Sequence, residues 1–149
     1  MTDIRFYHLQ KQTLDQALPM ILEKAYQADN RIIVKMSDEK EVERMNDILW
    51  TYRPDKFLPH GSKKNGNASN QPIWLTDKEE KPNGANVIIL TQNTTSDTIS
   101  EYEMCCEMLD GRDENAVIQA RQRWKEYQKD GHTVTYWFQS ESGKWEKKA

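Results

Sequence analysis

Arg31-Ile32-Ile33-Val34-Lys35-Met36-Ser37-Asp38-Glu39-Lys40-Glu41-Val42 is the stretch on which the fold turns. Its continuous β-branched run reads as a strand covered on both faces, because such side chains fit a pleated surface and a half-exposed strand would alternate with polar residues. Ser37 and Asp38 then break the run, and Glu41 follows Asp38 by three residues in the manner of a capping box. Val42, Met45, Ile48 and Leu49 mark the buried side of the helix that starts there. Upstream, Ile4 to Leu9 alternates, with Ile4, Phe6 and His8 on one face and Arg5 and Tyr7 on the other. Leu14, Leu18, Ile21, Leu22, Ala25 and Tyr26 form a helical stripe that stops at Asp29-Asn30. Proline lacks the N–H that an interior helical residue donates, so the regular part of this helix is expected to begin close to Pro19, with Asp15 or Ala17 in the opening turn. A strand–helix–strand–helix opening predicts a single layered α/β domain, a largely parallel sheet flanked by helices, over residues 1–149.

Downstream, Gly61 to Gln71 is polar but for Ala68, cannot offset its ordering entropy by burial, and is expected to be a mobile loop. Strands are expected at Pro72 to Leu75, at Asn86 to Leu90, whose Val-Ile-Ile-Leu suits a central position, and at Met104 to Leu109, which carries Glu107 inside it. A third helix runs from about Asn115 to Asp130 and is closed by Gly131. Thr133 to Gln139 alternates and is expected to end the sheet, leaving Glu141 to Ala149 loose unless the Trp145 ring docks. The chain has 149 residues, 36% hydrophobic and 30% charged, enough for one core. No window approaches ~18 consecutive apolar residues, so no membrane span is expected, and the N-terminus lacks a signal-peptide pattern, which points to the cytoplasm. Adjacent Cys105 and Cys106 offer neither a disulfide framework nor zinc spacing.

A nucleotide site is the first function an α/β order suggests, yet the six glycines form neither a P-loop nor a dinucleotide fingerprint. Gly61-Ser62-Lys63-Lys64 leads into polar coil rather than a helix, so its reading is a solvated loop. His8, His60 and His132 have no Cys, Ser or carboxylate at a triad or metal spacing, and each reads as structural. No active site and no cofactor are expected.

Two segments stand out. Leu49-Trp50-Thr51-Tyr52-Arg53-Pro54-Asp55-Lys56-Phe57-Leu58-Pro59-His60 places three large aromatics on a proline-stiffened connection, the composition of a core cap or of an interface anchor. In the third helix, Val117, Ala120, Trp124 and Tyr127 lie on a stripe that suits burial, and Arg121, Lys125 and Lys129 form a row beside it. Residues 115–129 hold four basic side chains against Glu126 alone, in a protein of net charge −3. Basic groups next to a Trp suit an acidic peptide with an apolar end, since the cations hold carboxylates and the ring shelters the apolar residue.

In the order of these segments the chain resembles the chi subunits of bacterial DNA polymerase III, clamp-loader accessory proteins. The resemblance rests on Phe6-Tyr7-His8-Leu9, on Leu49-Trp50 with Arg53-Pro54, Phe57 and Pro59-His60, on Pro72-Ile73-Trp74, on Val87-Ile88-Ile89-Leu90, and on Arg121-x-Arg123-Trp124-Lys125-x-Tyr127 leading to Gly131. It implies a non-enzymatic adaptor with a nucleoside-triphosphatase-like fold lacking a P-loop. It further implies docking of the psi subunit, and through it the clamp loader, on the segment matched by Trp50, Pro54 and Phe57. On the helix matched by Val117, Arg121, Trp124 and Lys125 it implies binding of the acidic, phenylalanine-ended C-terminal tail of single-stranded-DNA-binding protein. Val117 stands where better-known members place a lysine and Trp124 where they place a tyrosine, so a less basic and differently shaped pocket is expected. The partner at Trp50 and Phe57 is psi, another clamp-loader subunit or a helicase using the same face. The protein is expected as a monomer or one-to-one heterodimer that meets DNA only indirectly and no membrane.

Two other classes compete. One is a small nucleotide-binding enzyme of doubly wound type, with its ligand at the carboxyl ends of the strands. The other binds single-stranded DNA directly through Tyr136, Trp137 and the basic helix, which the net charge disfavours.

Overall fold

The computed structural model describes residues 2–52, 55 and 58–149. Its strands and helices follow in the order β1 (Asp3–Leu9), α1 (Leu14–Gln27), β2 (Ile32–Lys35), α2 (Glu39–Thr51), β3 (Gly61–Ser62), β4 (Ile73–Thr76), β5 (Val87–Leu90), β6 (Met104–Asp110), α3 (Glu114–Lys129), β7 (Thr133–Gln139) and β8 (Trp145–Lys147). The eight strands make one sheet in the order β3-β4-β2-β5-β6-β1-β7-β8, with β7 and β8 antiparallel and the other neighbours parallel. β5 is central, as its unbroken apolar sequence requires. No described helix is long and apolar enough to cross a membrane.

Pleating divides the core in two. Ile32, Val34, Leu75, Ile89, Cys106 and Met108 pack against Leu18 and Leu22 of α1 and Val42, Met45 and Leu49 of α2 on one face. Ile4, Phe6, Ile33, Ile88, Cys105 and Leu109 pack on the other face against Ala120 and Tyr127 of α3. Adjacent Cys105 and Cys106 therefore point to opposite sides, both buried, and burial pushes both thiols up, Cys106 to about 12.

The first helix begins at Leu14, so Asp15 and Ala17 lie in its opening turn as expected, and Pro19 lies inside the regular helix rather than at its start. Thr13 caps it: its side chain accepts from the Gln16 N–H while the Gln16 side chain accepts from the Thr13 N–H, a complete capping box. This cap, with Asp15 in the first turn, outweighs the single hydrogen bond that Pro19 removes. Asp38 caps α2 by accepting from the Glu41 N–H, as its sequence anticipates, while the Glu41 carboxylate accepts from Arg44 and Gln92.

The 61–71 segment, read as loop, contains β3 and a 3-10 turn at Ala68–Asn70. Polar contacts hold it where apolar burial is lacking. Ser62 Oγ donates to Glu43 at 2.8 Å, and the Arg31 guanidinium donates to the Ser69 carbonyl at 2.9 Å and the Asn83 carbonyl at 2.7 Å. The sheet does not end at Gln139: β8 adds a further edge strand, and the Trp145 ring docks edge-on to Tyr7 with centroids 5.0 Å apart.

Candidate functional site on the third helix

Asp113 caps α3 by accepting from the Asn115 and Ala116 N–H groups, and Gly131 beyond Asp130 takes the left-handed φ of 86° that releases the chain into β7. The helix seats Ala116, Ala120 and Tyr127 on the sheet. Arg123 falls on this buried stripe rather than on the outer row. Its guanidinium meets the Glu107 carboxylate of β6 at 2.8 Å, with side-chain exposures of 12% and 3%, and Tyr127 Oη donates to the same carboxylate at 2.6 Å. Burial raises the Glu107 carboxyl, opposed by Arg123 and Tyr127. Arg123 is thus spent internally, which leaves Arg121, Lys125 and Lys129 of the four basic side chains in residues 115–129.

Arg121, Lys125 and Lys129 remain exposed. Among the described residues, Arg121 and Lys125 enter no ion pair. Beside them Trp124 is half-buried, its ring 5.7 Å from Phe6 and 5.9 Å, edge-on, from Tyr136. Val117 packs at the margin of the same aromatic cluster. The four residues matched to the tail site therefore share one flank of α3: Val117 and Trp124 border the core, and Arg121 and Lys125 face solvent. Ile118, 57% exposed, lies three residues before Arg121 on this outer face and was missed by the sequence reading. The polar residues three and four positions away on the helix, Glu114, Asn115, Arg121 and Gln122, were the available signal.

Tyr136 and Trp137 cannot form one strip with the basic helix. Successive strand residues point to opposite faces, so Tyr136 stacks on Phe6 under α3 while Trp137 stacks on Tyr7 on the far side.

Of the second segment, the end of α2 lies across the sheet from α3. Trp50, in the last turn of α2, is 50% exposed, with its ring 4.8 Å from that of buried His60. The His60 Nδ1 lies 2.7 Å from the Leu58 carbonyl and Nε2 3.3 Å from that of Asn46, so backbone holds this ring. Pro54 and Phe57, the other residues matched to a second partner, lie outside the described residues.

A crevice of ≈ 400 Å³ opens at the carboxyl ends of β5, β6 and β1, where α1 and α3 leave adjacent strands toward opposite faces. A doubly wound enzyme would bind its nucleotide at such a point. Here the lining brings Asp15, Glu107, Asp110 and Asp113 together. Its two arginines are committed, Arg44 to Asp15 and Glu41 and Arg123 to Glu107. A phosphate would meet carboxylates there rather than free cations.

The class these features define is a single-domain α/β protein with a mostly parallel eight-stranded sheet. The profile of the family described as "DNA polymerase III chi subunit, HolC" matches residues 1–135, and the chain belongs to that family of replication accessory subunits. It is 32% identical over 94 residues, 63% of its length, to the probable DNA polymerase III subunit chi of Rickettsia prowazekii (strain Madrid E), and the match spans 57% of that relative. It is 21% identical over 142 residues to the DNA polymerase III subunit chi of Escherichia coli (strain K12), covering 90% of this chain and 96% of that one.

Proposed function

We propose that this protein is a non-catalytic replication adaptor of the bacterial cytoplasm. It links the polymerase III clamp loader, through psi or an equivalent partner at the Trp50 surface, to the acidic C-terminal tail of single-stranded-DNA-binding protein on α3. The observation that carries the reading is the division of labour among the α3 cations. Arg123 is consumed by buried Glu107, whereas Arg121 and Lys125 stand unpaired among the described residues beside half-buried Trp124 and exposed Ile118. Exposed cations held in place by a rigid helix, next to apolar surface, fit carboxylates followed by an aromatic terminus. Placement of Trp50 on the opposite side of the sheet supports simultaneous engagement of two partners.

Fluorescence anisotropy tests the tail site with three probes at two salt concentrations: a labelled acidic peptide ending in phenylalanine, the same peptide without its phenylalanine, and a single-stranded oligonucleotide. Binding of the full peptide should weaken with salt but survive in part, because salt does not screen apolar contacts. Loss of the phenylalanine should cost more than neutralising one acid. Equal affinity for peptide and oligonucleotide, or indifference to the terminal ring, would overturn the reading.

A further inference from the structure

Behind the outer face of α3 sits a polar pair that neither the sequence motifs nor the family assign. His8, on the α3 side of β1, is 7% exposed. Its ring stacks on Phe138 with centroids 4.1 Å apart, and it packs so closely on Gly111 that a Cβ there would fall 1.9 Å from Nε2. The ring is therefore fixed in place. Nε2 lies 3.1 Å from Gln10 Oε1, and Nδ1 lies 2.7 Å from Tyr136 Oη. An amide oxygen only accepts, so in the neutral ring the hydrogen resides on Nε2 and Nδ1 is bare. The Tyr136 hydroxyl must then donate inward to Nδ1, leaving only lone pairs to meet a ligand. Tyr136 in turn stacks on Phe6 and stands edge-on to Trp124, within the flank that carries Arg121.

We propose that Tyr136 is a hydrogen-bonding residue of the carboxylate site headed by Arg121, and that His8 sets the direction of its hydroxyl. When His8 takes up a proton, Nδ1 becomes a donor to Tyr136 Oη, and the phenolic hydrogen turns outward to a peptide carboxylate. When His8 is neutral, the same oxygen presents lone pairs to that carboxylate and disfavours it. The groups facing His8 from the packed elements are Tyr136 of β7, Arg121 of α3, Asp110 of β6 and the Gln10 amide. In the free protein burial lowers the His8 pKa below its ordinary value, the Gln10 bond opposes this, Arg121 lowers it further and Asp110 raises it. A carboxylate at Arg121 offsets that cation, so binding is coupled to proton uptake and tightens as pH falls. The other histidines sit elsewhere: His60 lies under Trp50, and His132 Nδ1 accepts the Thr2 N–H.

This proposal rests on the acidic-tail reading and is tested separately from it. Calorimetric titration of the whole protein with a synthetic acidic, phenylalanine-ended peptide at about pH 7.5, 6.5 and 5.5 spans the histidine range while peptide carboxylates stay ionised. The expected result is about threefold to tenfold tighter binding at the lowest pH, the difference between a neutral and a charge-assisted hydrogen bond. Tyr136→Phe should reduce that dependence to the small part carried by the Arg121 charge alone, and nitrogen NMR of the free protein should show the Nε2–H tautomer of His8. Binding that is equally tight at all three pH values, or a Tyr136→Phe protein that retains the full dependence, overturns the Tyr136–His8 role and leaves the tail site standing. Absence of peptide binding at every pH overturns both.

Discussion

The α3 face and the end of α2 both present a tryptophan beside polar groups, yet they are built in opposite ways. Trp124 is wedged among Phe6 and Tyr136, and the charge near it is sorted, with Arg123 inward on Glu107 and Arg121 and Lys125 outward. Trp50 is half exposed over a histidine held by backbone carbonyls. One surface offers fixed charge with an apolar margin, the other a half-exposed indole ring. The contrast teaches that a helix can use one cation to fix its seat on the sheet and leave its neighbours in solvent, so counting charges along a helix overstates what faces solvent.

The sharpest way to break this comparison is to remove the inward cation. Arg123→Ala leaves Glu107 buried without its partner and should cost about 3–5 kcal/mol in urea unfolding, whereas Arg121→Ala should change stability by under about 1 kcal/mol. Similar costs for the two would mean that the inward and outward roles are not distinct. Next in size, Arg121→Ala and Lys125→Ala should each weaken acidic-peptide binding by roughly 1.5–3 kcal/mol in calorimetry, with unchanged melting temperature. On the other surface, Trp50→Ala should cost no more than about 2 kcal/mol of stability, below the ~3–5 kcal/mol of a buried aromatic, while co-purification of the clamp-loader partner is lost. A large stability loss would make Trp50 a core residue instead.

The smallest effect lies away from both surfaces and calibrates the electrostatics. Burial alone would raise the Glu79 carboxyl, but the Lys35 ammonium and the hydroxyls of Ser96 and Thr98 outweigh it and hold it at about 2, below its ordinary 4.5. A carboxyl depressed in the folded state stabilises above its unfolded value and loses that contribution as pH falls, here between about 4.5 and 2. With the side chain 34% exposed, solvent screening keeps the contribution to about 1 kcal/mol or less. Glu79→Gln should flatten that part of the stability–pH curve, and an unaltered slope would remove Glu79 from the account of acid sensitivity.

Much of this was legible in the residues. The β2–α2 stretch specified its strand, cap and buried stripe, and the central place of β5 followed from four apolar residues in a row. In α1 the opening turn was legible, but regular helix sets in before Pro19 because of the Thr13–Gln16 capping box, itself a sequence signal. Strands β3 and β8, two and three residues long, are too short to show a period. The inward turn of Arg123 was readable in part: Ala116, Ala120, Arg123 and Tyr127 keep one helical phase, and Glu107 is a lone carboxylate within an apolar strand. That these two meet depends on the β6–α3 packing, which periodicity does not report. The Tyr136–His8 contact, 128 positions apart, had no local signature.

The central claim is that two independent surfaces serve two partners, and a double dissociation tests it most directly. The native protein, Arg121→Ala and Trp50→Ala would each be titrated with the acidic phenylalanine-ended peptide and assayed for co-purification of the clamp-loader partner. Arg121→Ala should lose peptide affinity and keep the partner, and Trp50→Ala should keep the peptide and lose the partner. If either substitution removes both interactions from a protein that remains folded, or if neither removes any, the two-surface account is contradicted.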